Sequence, residues 1–180
     1  MTEREETTII LDFLPNGYPF GERRLPIAQA IGKNYFTLLE LVPRKGVKLK
    51  IGEEVYIGTD KRDKIYYILG RLPREKLTNT AKIELEEFIN KSIEEKEKNF
   101  VEFFNNAQAI NTRLHQLELL PGFGKKHMKA IIEDRDKGGN FKSFEEIKER
   151  IKNIPDPKKA VKKRLVEELT EKTRYKLFVN

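Results

Sequence analysis

The chain has 180 residues, 36% charged and 38% hydrophobic, enough apolar material for one ordinary domain or two small ones with modest cores. It has no cysteine, which excludes disulfides, thiolate metal sites, iron–sulfur clusters and a cysteine nucleophile; it also lacks the run of about 18 apolar residues that a membrane span needs. The net charge of +7 is unevenly placed: residues 1–105 hold 18 Lys and Arg against 18 Asp and Glu, whereas residues 106–180 hold 18 against 11. One-sided positive charge is the electrostatic footprint of a protein that meets a polyanion. The acidic start MTEREETTIILDFL has no signal-peptide core, so a cytoplasmic setting is expected.

Taken in chain order, residues 1–73 predict a compact all-β unit, a small antiparallel barrel or sandwich. Candidate strands are Thr7 to Leu14, Tyr35 to Val42, Glu53 to Gly58 and Lys64 to Leu72. Turn signals separate them at Pro15-Asn16-Gly17, Pro43 to Gly46 and Thr59 to Asp63. Leu25 to Ile31 reads as a short helix or a loop. The boundary falls near Pro73, with no flexible Gly/Ser linker.

Residues 74–105 predict a connecting helix. From Thr78, residues Ile83, Leu85, Phe88, Ile89 and Ile93 recur at three-to-four-residue steps. Asn79 or Thr80 is the expected N-cap, and Glu84, Glu86 and Glu87 suit the positive end of the helix dipole. The alternating run Glu94 to Asn99 reads as a solvated face; Phe100, Val101, Phe103 and Phe104 read as core.

Residues 106–180 carry the chemistry. Leu114, Leu117 and Leu120 predict a short helix that Pro121 ends; Gly122-Phe123-Gly124 forms a tight turn, and Lys125 opens a second helix packed through Met128, Ile131 and Ile132. The two glycines let the backbone approach a ligand closely while Phe123 is buried. Free amides at the start of the second helix make a phosphate site without base contacts, and Lys125, Lys126 and Lys129 add charge.

This stretch, LHQLELLPGFGKKHMKAIIEDRDKGGNFKSFEEI, resembles the helix-hairpin-helix family of non-sequence-specific DNA- and RNA-binding modules over about thirty residues. The second helix of the pattern ends at Arg135 and is followed by the Gly138-Gly139 and Phe141 to Phe144 connector; Met128 departs from the family's usual Ala. A degenerate second copy is read at Ile151, Ile154, Pro155, Asp156, Pro157, Lys158 and Lys159, with both glycines lost and a mainly architectural role expected. In the helix after it, Val161, Leu165 and Leu169 predict a buried stripe, while Lys158, Lys159, Lys162, Lys163 and Arg164 are expected to face out as backbone contacts.

The whole chain also resembles an archaeal family of uncharacterised, predicted RNA-binding proteins that join an OB-like or S1-like barrel to a helix-hairpin-helix domain. The carrying segments are GEEVYIG at Gly52 to Gly58, KRDKIYYILGRL at Lys61 to Leu72, and LPGFGKK. The resemblance implies an α+β protein: an OB-like barrel, a connecting helix and an all-α domain of two pseudo-duplicated hairpins. Its partner would be nucleic acid, RNA ahead of DNA. Such barrels stack bases on exposed aromatics; Tyr35, Phe36, Tyr56, Tyr66 and Tyr67 are candidates, each with core as the expected role.

No enzyme is expected. Some base-excision glycosylases use the same hairpin with a Lys at the position of Lys126, but their Asp is missing from Lys142-Ser143-Phe144, as is the larger helical domain. His115 and His127 lack ligand spacing, so no catalytic residue, metal or cofactor is assigned. The alternatives are a protein-interaction adaptor of a ribosomal or transcription assembly, or a DNA-binding repair or recombination accessory factor.

Overall fold

The computed structural model describes residues 4–21 and 24–179. They divide into two compact units, one made of residues 1–88 with 168–180 and one of residues 89–167.

The first unit is built on five antiparallel strands: β1 (Thr7–Leu14), β2 (Ile27–Gly32), β3 (Leu38–Pro43), β4 (Glu54–Tyr56) and β5 (Ile65–Arg71), in the order β4-β1-β2-β3-β5. Strand alternation sends Ile10, Ala28, Ala30, Leu39, Leu41, Val55 and Ile65 into one core. On β1, β2 and β3 the polar residues Asp12, Gln29 and Glu40 lie side by side. Gln29 is fully buried and saturated: its amide donates to the Tyr18 hydroxyl (3.2 Å) and the Lys76 carbonyl (2.7 Å), and its oxygen accepts from the Thr78 amide (3.1 Å). Tyr18 donates in turn to Glu40 (2.7 Å), and burial beside that carboxylate holds the phenol proton well beyond its ordinary range.

Helix α1 (Asn79–Glu95) follows. Its cap is Thr78, not the expected Asn79 or Thr80: the Thr78 hydroxyl accepts from the Ala81 amide (3.0 Å) while donating to Asp12 (2.6 Å). Leu85, Phe88, Ile89 and Ile93 are buried as expected, but Ile83 lies 68% exposed and Ala81 takes the inward position. The second unit contains α2 (Glu97–Asn106), α3 (Lys125–Gly138), α4 (Phe144–Arg150) and most of α5 (Pro157–Thr170). Phe104 lies at the centre of its core, edge-on to Phe144 and tilted against Phe123.

The expected fold class is overturned. Instead of an OB-like barrel, a connecting helix and an all-α helix-hairpin-helix domain, the described residues form a half-barrel sheet followed by five α-helices. The sheet stays open because β4 is only three residues long, and among the described residues no ladder joins β4 to β5. The connector is two helices, broken at Lys96 (φ −115°, ψ 29°). The short α-helix expected over Leu114 to Leu120 is instead a 3₁₀ turn: His115 accepts from the Leu117 amide (3.1 Å) and Glu118 from the His115 amide (2.8 Å), which closes Gln116–Leu119. An isolated β-bridge between Ala109 and His115 also makes the unit other than all-α. The segment expected to hesitate between helix and loop, Leu25 to Ile31, holds all but the last residue of β2, the central strand, every residue of which is buried.

Candidate nucleic-acid interface

The Pro121-Gly122-Phe123-Gly124 turn is held from below. Phe123 is 5% exposed, its ring 6.2 Å from Phe104 and 5.8 Å from His127, and its amide donates to the Leu120 carbonyl (3.0 Å). Phe123 is therefore an anchor rather than a surface a ligand would touch. Gly122 sits at φ +85°, the left-handed region that strains any residue with a Cβ.

Gly124 is different. Its φ of −108° and ψ of −171° are extended values open to every residue, and a Cβ there would meet no heavy atom within 4 Å. Nothing inside the chain requires glycine at this position. As N-cap of α3 it accepts from the Met128 amide (3.0 Å), and its own amide donates to His127 Nδ1 (3.1 Å). Helix geometry leaves the amides of Lys125, Lys126 and His127 without an intrahelical acceptor. A glycine cap supplies no side chain to take them, so the positive end of α3 stands open beside an exposed backbone.

The surrounding charges are sorted by the fold. Lys125 is tethered, its Nζ donating to the Arg113 carbonyl (2.8 Å) and Glu118 (3.1 Å). Glu118 is held below the usual carboxylate range, first by the His115 amide and then by Lys125. Burial, with the nearby Arg135 charge, pushes His115 down and keeps the ring neutral as a cap. Arg135 itself clamps the end of α2, donating to the carbonyls of Phe104 (2.8 Å) and Ala107 (2.9 Å). Lys126 and Lys129, three residues apart on α3, are exposed, and among the described residues neither has an ion-pair partner.

The second basic group is less uniform than expected. Val161, Leu165 and Leu169 form the buried stripe of α5. Arg164, expected to face out, is only 8% exposed because it lies three residues from Val161, on the inward side. Lys162 is half-buried, and Lys158 is 3.5 Å from Glu94. Lys159 and Lys163 are exposed. The start of α5 is closed: Pro157 has no amide proton, and the Asp156 carboxylate accepts from the amides of Lys158 (3.0 Å) and Lys159 (3.2 Å). Asp156 thus distinguishes the two helix starts, one open and one filled by the chain's own anion.

Among the described residues no cluster of three or more His, Asp or Glu side chains is placed to hold a metal ion, and no helix is long and apolar enough to cross a membrane. The chain is 43% identical over 172 residues to the uncharacterized protein MJ0038 of Methanocaldococcus jannaschii, covering 94% of this chain and 77% of that one. It also superposes on the crystal structure of Af1531 from Archaeoglobus fulgidus with a TM-score of 0.81 at 46% identity, covering 98% of this chain and 100% of the other. Residues 4–180 match the DUF655 family, described as a protein of unknown function, and the chain belongs to that family, with archaeal relatives.

Proposed function

We propose that the protein binds nucleic acid, RNA ahead of DNA, as a non-catalytic factor that grips one backbone phosphate at the start of α3 and steadies the strand with Lys126, Lys129, Lys159 and Lys163. The carrying observation is the contrast between two helix starts in one unit. At α5 an aspartate fills the amide site; at α3 a glycine with no steric need to be one leaves the same kind of site open. A phosphate oxygen is the natural acceptor for such amides, because the helix dipole and two unpaired lysines favour negative charge there. The preference for RNA rests on the whole-chain resemblance, since phosphate contacts do not distinguish sugars or bases.

The test is fluorescence anisotropy with bare single- and double-stranded RNA and DNA at several salt concentrations. The expected result is a log K against log salt slope of at least about −1.4, two phosphates' worth on single strands. A protein-only adaptor would show no binding to any of the four.

A further inference from the structure

In the unit formed by residues 1–88 and 168–180, a cavity of about 380 Å³ opens where the half-barrel fails to close between β4 and β5. Its floor is apolar, made of Leu39, Ile57 and Ile68, and its rim carries Arg4, Arg62 and Arg71. Arg71 is paired directly opposite Leu39, and opposed residues of neighbouring strands point to one face, so its side chain leaves from the face that carries the core. Arg62 is oriented by its Nε, which donates to the Gly58 carbonyl (2.9 Å). The same lining holds two acids, Glu6 and Glu5, the second accepting from the amides of Asn34 (3.0 Å) and Tyr35 (2.6 Å), so arginine outnumbers carboxylate around the opening.

We infer that this cavity binds a single nucleotide, its base on the apolar floor and its phosphate among the arginines. A purely apolar ligand has no use for three guanidinium groups, and an inorganic anion leaves the floor uncovered. The planar guanidinium fork matches phosphate oxygens in pairs. The volume lies at the small end of the roughly 300–1,000 Å³ range of small-molecule sites, the scale of one nucleotide rather than a stretch of strand. The nucleotide is either free or the phosphorylated end of a strand. This site stands apart from the reading of the α3 start and does not depend on it.

The experiment uses the full chain with labelled isoleucine methyl groups. It is titrated separately with AMP, GMP, CMP and UMP, a short RNA with a 5′-phosphate, the same RNA with a 5′-hydroxyl, and inorganic phosphate. The Ile57 and Ile68 methyl signals are expected to shift with a free monophosphate, with the phosphorylated RNA, or with both, which identifies the source. Arg62→Gln and Arg71→Gln should each weaken this response about tenfold or more, the scale of a lost charged hydrogen bond; Arg4→Gln, at an exposed position, reports should either of these fail to fold. Gly124→Val should leave these methyl shifts intact, which separates this site from the one at α3. The inference is overturned by the absence of any shift up to about 10 mM ligand, by a response the arginine variants leave unchanged, by equal binding of the 5′-hydroxyl RNA, or by inorganic phosphate acting as well as a nucleotide.

Discussion

Valine placed at either glycine of the 121–124 turn blocks a phosphate from the amides of α3, but the two substitutions have different effects on the fold. At Gly122 the backbone is at φ +85°, so a β-branched residue costs about 1–2 kcal/mol of conformational strain. For a chain of this length each kcal/mol lowers Tm by roughly 2–4 °C. At Gly124 the angles suit valine and no heavy atom lies within 4 Å of the new Cβ, so only the weaker helix cap remains, under about 1 kcal/mol. Binding should fall in both variants. Gly124→Val sets methyl groups beside the open amides and should weaken nucleic-acid affinity at least about tenfold, or about 1.4 kcal/mol, with Tm nearly unchanged. Gly122→Val should lose both affinity and stability. Thermal melts and anisotropy titrations on the two variants and the parent measure both quantities. A Gly124→Val protein that folds and binds like the parent would refute the reasoning.

Replacing Lys158, Lys159, Lys162 and Lys163 together with Ala should flatten the slope of log K against log salt by about 1.5 units rather than the three or so that four free lysines would give on single strands, because Lys158 already faces Glu94 and Lys162 is half-buried; an unchanged slope would exclude this face from the interface. Asp156→Ala should lower stability by about 1 kcal/mol in urea denaturation through loss of the α5 cap, yet raise affinity by a factor of about three by removing an anion from a helix start; weaker binding would contradict the contrast between the two ends. Stability should also fall with acid, since Glu118 and His115 both bind fewer protons in the folded chain than in the unfolded one. The His115 contribution declines as pH drops below about 6.5, and that of Glu118 declines as pH falls from about 4.3 through its lower folded value. His115→Asn, which keeps an acceptor for Leu117 and does not titrate, should flatten the upper part of that decline in urea melts between pH 7.5 and 5, and an identical profile would refute the assignment.

The readable parts of the fold were those where local chemistry and tertiary role agree. Thr7–Leu14 is a short β-branched and apolar run that Pro-Asn-Gly stops, so β1 is legible to the residue. Ile27–Gly32 is buried on both faces and uses Ala and Gln where alternation would show a polar side, so the central strand carries no period to read. The break at Lys96 lies among good helix formers and has no local signal. At the candidate site, the glycine turn and the anchoring role of Phe123 were visible in LPGFGKK, but the 3₁₀ closure before it depends on a His115–Glu118 exchange that apolar spacing does not report. Asp156 followed by Pro157 is a helix-start signature in its own right, and Arg164, expected to face out, lies three residues after Val161, on the buried side of the stripe.

The central claim, that a strand's phosphate sits on the open start of α3, is tested most directly by following backbone amide signals of the full chain as single-stranded RNA is added at low salt. The largest shifts are expected at Lys125, Lys126 and His127, with the corresponding amides of Lys158 and Lys159 nearly unmoved because Asp156 already occupies them. Equal shifts at both helix starts, or no shift at Lys125 to His127 while RNA binds elsewhere, would contradict it.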